Sequence, residues 1–312
     1  MAPPRIRFII PYFGRWPFWM PFFLASCRHN PDIDWLFFTD CGVPAGAPDN
    51  VRFEACSFTD YCRRVSACLG IDFQPRSPYK LCDLKPALGY VHAEELAGFD
   101  FWGFSDIDLV YGDLRAYFNA ERLDRFALLS THERRISGHL CLMRNDEKMR
   151  GAFKAVPGWR AKLVATEHNG FDEGAFSRLF IRHKNWPAPL RRFADLFNPW
   201  RRCSEFVEAF STPYARIPWT DGSVDFPQQW IWREGRLYTD RDGERDFPYF
   251  HFLTWKGRPW AALSTEEQIS PPDLAARPCW SISVRGFHLP STLSGNGAAH
   301  ASAVEAGRDR GA

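Results

Sequence analysis

Two short apolar runs separated by a helix-length stretch constrain this chain more than anything else in it. Ile6-Arg7-Phe8-Ile9-Ile10 and Asp34-Trp35-Leu36-Phe37-Phe38-Thr39-Asp40 have the length and the branched and aromatic content of buried strands, and Pro17 to Arg28 between them suits a helix. Val51-Arg52-Phe53 follows as a third short strand. Strand, helix and strand in that order fold as a right-handed crossover onto a parallel sheet, which makes the fold class α/β. Ligands bind such sheets outside the carboxyl ends of the strands. Pro11, Tyr12 and Phe13, then Thr39 and Asp40, are therefore expected on that rim.

The same rim receives a second feature. Phe99 to Ser105 is an apolar, aromatic rise to a strand, and Asp106 and Asp108 stand at its end. In extended chain, residues two apart point to one side, so both carboxylates face one ligand. Their mutual repulsion and lost hydration are relieved together by a hard divalent cation. A strand end or turn in which each Asp caps backbone N–H groups is the competing explanation. Lys80 and Lys85 lie on a helical stretch just upstream, within reach of an anion held there, although either fits a solvated helix face.

Composition narrows the function classes. The 312 residues carry 39 basic and 37 acidic side chains, which implies no broad basic face and no nucleic-acid partner. Aromatic residues make up 16% of the chain, with 13 Trp, an excess that lines sugar or base sites or fills cores. Nine Cys, an odd number with no C-x-x-C spacing, suggest reduced thiols, most of them buried. With no signal-like run after Met1, a cytoplasmic location is expected. Trp16 to Ala25 is too short to span a membrane. A buried amphipathic helix explains it best, and peripheral contact with the inner face of a membrane is the other reading.

Further along, Thr59 to Gly70 and part of Tyr79 to Leu96 read as helices, and Arg125 to Ser130 as a strand. Ile136-Ser137-Gly138 is a small-residue turn feeding the strand ending at Met143, and Gly138 suggests close backbone approach. Asp172 and Glu173 open a helix running through Phe180, where first-turn acids also suit the helix dipole. Arg191 to Phe210 reads as arginine-rich helix, and Gln229 to Tyr238 as a hairpin turning at Glu234-Gly235. Residues 1–288 are expected to form one domain, with 289–312 a disordered tail of Ala, Gly and Ser.

Three segments together resemble the GT-A glycosyltransferases, chiefly the glycogenin and galactinol-synthase-like branch and the bacterial lipopolysaccharide sugar transferases. Phe104-Ser105-Asp106-Ile107-Asp108-Leu109-Val110-Tyr111-Gly112-Asp113-Leu114 is similar to that superfamily's metal-binding Asp-x-Asp segment. Tyr79-Lys80-Leu81-Cys82-Asp83-Leu84-Lys85 is similar to its upstream basic helix. His251-Phe252-Leu253-Thr254-Trp255-Lys256-Gly257-Arg258-Pro259-Trp260 is similar to its C-terminal His…Lys-Pro-Trp motif. The family's Asn-Ser-Gly turn stands here as Ile136-Ser137-Gly138, and its Asp-Gln pair as Asp172-Glu173.

The resemblance implies a Rossmann-like, mixed but mainly parallel sheet flanked by helices. Residues 1–120 would form a nucleotide-sugar half, and 121–288 an acceptor half containing the hairpin. It implies Mn²⁺ or Mg²⁺ on Asp106, Asp108 and His251, and a nucleotide-sugar donor, with a UDP-sugar first choice. Pro11, Tyr12, Phe13, Thr39, Asp40, Lys80, Lys85, Asp106, Ser137, Gly138 and Lys256 would hold that donor. Asp172 and Glu173 would be the catalytic pair, and the acceptor a glycan or lipid-linked sugar of bacterial surface polysaccharide synthesis. Two rival readings are a metal-dependent nucleotide hydrolase or nucleotidyltransferase, and a non-catalytic carbohydrate-binding module using the Trp-rich surface.

Overall fold

Strand β1 (Ile6–Pro11) is buried along almost its whole length and lies between two parallel partners. One is β2 (Ile33–Thr39), reached through helix α1 (Met20–Arg28); the other is β4 (Phe101–Ser105). The structure, a computed structural model, describes residues 3–183, 185–213, 215, 217–241, 245–262 and 273–290. The expected disordered tail thus falls, from residue 291 on, outside the described residues.

The chain adds β3 (Val51–Ala55) beyond β2, then returns through α2 (Phe58–Leu69) and helical turns over residues 78–91 to β4. Helix α2 has the ends its sequence dictates: Ser57 accepts from the Asp60 N–H, and Gly70 closes it in the left-handed region. With β6 (Leu128–Ser130), β7 (Leu140–Arg144) and β8 (Ser204–Phe206), the sheet has seven strands in the order β3-β2-β1-β4-β7-β6-β8. Only β7 runs against the others. The sheet is thus mixed and mainly parallel, with helices on its faces, as expected. The chain turns back across β1 to β4, so the crevice of an open α/β sheet falls between the ends of these two strands.

A second layer comes from the C-terminal third. β9 (Gln229–Arg233) and β10 (Arg236–Thr239) form the expected hairpin, with Glu234 and Gly235 both at positive φ, the turn geometry that follows strand twist. β12 (Cys279–Ser283) and β13 (Gly286–His288) extend it to four strands. Between the two sheets, β5 (Leu109–Tyr111) pairs antiparallel with β11 (Tyr249–His251), setting His251 opposite Leu109.

The aromatic excess is core. Eight of the 13 tryptophans are buried, six of them in one cluster beneath the four-stranded sheet, and Trp186 alone is classed as exposed. Helix α1 lies inside this arrangement: Phe23 and Leu24 face the large sheet while Phe22 stacks on Phe287. Burial therefore accounts for the apolar stretch around Trp16 to Ala25. No described helix is long and apolar enough to cross a membrane. All nine cysteines are free thiols.

Three local expectations are corrected. Arg191 to Phe210 is not one helix: Ala188–Leu196 is helical, Asn198 caps a new turn at Pro199–Arg202, and Ser204–Phe206 becomes edge strand β8. Pro199 cannot continue a helix but suits the first position of a new one. Residues 78–91 are a string of short turns interrupted at Pro86. Asp106 to Asp108 is a bend between β4 and β5, not extended strand.

Candidate active site

The bend after β4 is held by an Asp106 N–H bond to the His139 carbonyl (3.0 Å), and it turns both carboxylates to the crevice side. β11 brings His251 alongside, with Nε2 3.1 Å from Asp108 Oδ2. One ligand atom from each of Asp106, Asp108 and His251 fits within a 4.8 Å span. Two carboxylates and an imidazole at that spacing suit Mn²⁺, or Mg²⁺ with water completing its shell, so the donor set fits a divalent cation. His251 is placed by a ring stacked on His139 at 4.3 Å and by Thr212 Oγ1, 3.5 Å from Nδ1.

Two lysines neutralise the pair. Lys85 Nζ donates to Asp106 (2.5 Å) and to the Gly138 carbonyl (2.7 Å), and Lys256 Nζ lies 2.6 Å from Asp108. Burial penalises the Lys85 ammonium, yet the surrounding carboxylates, Asp106 foremost, outweigh that and raise its pKa. Burial likewise works against the Asp108 carboxylate, but His251 and Lys256 reverse the balance and hold its pKa far below the usual range.

Above them opens a cleft of ≈ 300 Å³, lined by Pro11, Tyr12, Phe13, Tyr79, Lys85 and Lys256 along with the Asp pair. Tyr12 stacks on Trp16 at 5.1 Å, and Phe13 is wedged against Phe58 and Tyr61. Tyr79 is 66% exposed at the mouth, and Cys82 lies in the wall; neither was singled out from sequence. No local pattern distinguishes Tyr79 from any other first-turn tyrosine.

Asp172 and Glu173 reach the site from the far side. They open a wide, π-helical turn, Phe171–Phe176, a form found often at functional sites. A Cβ on Gly138 would stand 2.9 Å from Asp172 Oδ2 and from Glu173 Oε1, so a larger residue would push these two carboxylates aside. Burial raises the Asp172 pKa to about 7, with Lys85 opposing. Glu173 is partly exposed, accepts from the Gly138 N–H at 3.3 Å and pairs with Arg135 at 3.5 Å.

Five expected donor residues do not line the cleft: Lys80, Ser137, Gly138, Thr39 and Asp40. Lys80 is 1% exposed, and its ammonium is spent on Asp83 and the carbonyls of Lys162 and Glu167. Ser137 is buried, accepting from Thr131 and bonded to His139. Thr39 is buried and accepts from the Cys41 N–H, while Asp40 accepts from the Gly14 N–H at 2.8 Å and so braces the loop carrying Tyr12 and Phe13. Lys80, Thr39 and Asp40 hold backbone groups, and the Ser137 hydroxyl joins the Thr131 and His139 side chains.

A family model described as "Family of unknown function (DUF6625)" matches residues 8–269. Among curated proteins no sequence match is found. Solved structures similar to this chain include the galactosyltransferase LgtC in complex with donor and acceptor sugar analogues (15% identity, TM-score 0.35, 67% of this chain and 90% of that one). Mouse xyloside xylosyltransferase 1 in its apo form is another (12% identity, TM-score 0.34, 66% and 96%).

Proposed function

This chain belongs to the DUF6625 family, and we propose that it is a metal-dependent glycosyltransferase that moves a sugar from a nucleotide diphosphate donor, a UDP-sugar first, to a glycan or lipid-linked acceptor. The observation that carries the reading is the Asp106–Asp108–His251 cluster set between Lys85 and Lys256 on the floor of the cleft. Two carboxylates and two ammoniums are already balanced. Adding a dication leaves an excess of positive charge facing the cleft, and a diphosphate is the anion that restores neutrality.

Asp106, Asp108 and His251 would hold the cation, which would supply Lewis-acid stabilisation for a leaving diphosphate. Lys85 and Lys256 contribute point charges to the same oxygens. Tyr12 and Tyr79 offer faces at the cleft for the base. Asp172, with its pKa raised by burial to about 7, can hold or release a proton, and on this reading it and Glu173 would act on the donor sugar. Residues 1–120 would supply the nucleotide half and 121–288 the acceptor half, His251 crossing back to complete the first. The burial of the tryptophan cluster weighs against the carbohydrate-binding module.

The test is calorimetry with UDP and GDP, with and without Mn²⁺, on wild type and Asp108→Ala. Metal-linked binding of one nucleotide that disappears in the variant is expected. Nucleotide binding indifferent to metal and to Asp108 would sink the proposal. Release of nucleotide without any requirement for a sugar acceptor would favour a hydrolase instead.

A further inference from the structure

Beyond Glu173 the molecule opens into a second, larger cavity of ≈ 1210 Å³, continuous in its wall with the turn carrying the proposed catalytic pair. Arg134, Arg135, Arg178 and Arg182 line it, against the single carboxylate of Glu173. That carboxylate is taken by Arg135. Arg134, Arg178 and Arg182 are exposed and have no carboxylate partner among the described residues. His132, at the cavity's base, adds no charge near neutrality, because burial and the nearby arginines push its pKa down to about 4.

Trp186, at 47% exposure the one exposed tryptophan, stands at the rim with its ring stacked on His183 at 4.0 Å. With one face covered by His183, the half-exposed indole still leaves apolar surface at the rim, which suits a sugar ring. Three guanidinium groups with no carboxylate partner among the described residues suit a phosphate or carboxylate, which they can meet as a bidentate fork.

We propose that this cavity is the acceptor site and that the acceptor is an anionic saccharide, one carrying a phosphate or a carboxylate. The assignment rests on the glycosyl-transfer reading for its role, and on the arginines and Trp186 for its chemistry. A neutral glycan would leave the positive charges that line the cavity uncompensated. An anionic one relieves that repulsion on binding, so it gains affinity from the whole cluster and not from one contact.

The experiment is calorimetry on the full chain with galactose, galactose 1-phosphate and galacturonic acid. Each is titrated alone and with the cleft saturated by UDP and Mn²⁺. Galactose 1-phosphate is expected to bind at least about tenfold more tightly than galactose in both conditions. Arg178→Ala and Arg182→Ala are expected to abolish that preference while UDP affinity stays at the wild-type value. If galacturonic acid shares the preference, carboxylated sugars belong to the class; if it does not, phosphate is the group read. Equal binding of galactose and its phosphate overturns the inference, as does a preference that survives both substitutions. A preference lost when UDP is present also overturns it, since the phosphate would then be sitting in the nucleotide cleft. UDP binding is read separately in these titrations, so its failure counts against the proposed transfer and leaves the sugar-phosphate comparison standing.

Discussion

Lys80→Met separates a structural lysine from a phosphate-binding one, two roles that the sequence leaves indistinguishable. Lys80 Nζ donates to Asp83 Oδ2 and the Lys162 carbonyl at 2.8 Å and to the Glu167 carbonyl at 3.0 Å. Asp83, fully buried, also accepts from the Asn169 N–H (2.8 Å) and the Phe171 N–H (2.7 Å). The pair thus ties residues 78–84 to the loop that leads into Asp172. Removing one partner of a buried ion pair costs about 3–5 kcal/mol, because the other charge stays buried. Two backbone N–H donors remain on Asp83 and His168 Nδ1 lies 3.1 Å from its Oδ1, so we expect the lower end, about 3 kcal/mol. For a chain of 312 residues that is a fall in Tm of roughly 5 °C. The assay is urea unfolding followed by tryptophan fluorescence, paired with UDP–Mn²⁺ calorimetry below the transition. Stability should fall by that amount while nucleotide affinity changes by no more than about threefold; Lys80→Met/Asp83→Asn should cost less than the two single changes added, since the pair is coupled. A loss below about 1 kcal/mol, or a tenfold drop in affinity at unchanged stability, would refute the assignment and return Lys80 to the diphosphate.

Other predictions follow from single groups. Burial raises the Glu208 pKa to about 7, above its unfolded value, so the folded state holds its proton more tightly and stability is full in acid and lost as pH rises toward 7. Glu208→Gln should flatten that slope and gain up to about 3 kcal/mol at pH 8; an unchanged profile between pH 5 and 8 defeats the argument. Asn30, 3% exposed, donates to the Ser26 and Gly112 carbonyls and accepts from the Leu114 N–H, joining the end of α1 to the segment after β5. Asn30→Ala should cost about 1–3 kcal/mol for each group left buried and unpaired, and a loss under 1 kcal/mol by urea unfolding would contradict it. His251→Ala should weaken Mn²⁺ binding in the presence of UDP at least about tenfold, more than it weakens Mg²⁺; equal effects on the two ions would remove the imidazole from the donor set.

What the chain discloses about itself depends on how local each signal is. The parallel order of β1 and β2, the helix ending at Gly70 and the Glu234-Gly235 hairpin follow from neighbouring residues, and all were legible; the Ser57 cap is equally local but was not drawn from the sequence. So was β12, where Cys279-Trp280-Ser281-Ile282-Ser283 alternates plainly before a turn, although it went unread. Asp108 and His251 are 143 residues apart, and only the order of motifs joined them; no periodicity reports that β11 crosses to β5. Lys80 and Lys85 show the opposite limit. They share a segment, a charge and a neighbourhood, and five residues along a string of short turns suffice to send one inward to Asp83 and the other to Asp106. The sign of their roles lies in which buried carboxylate each one meets. The tertiary fold decides that, because a buried ammonium is tolerated only where acceptors already wait for it. The same condition explains why Arg134, Arg178 and Arg182, with no such acceptors among the described residues, remain at the surface of a cavity, where an anionic ligand would suit them.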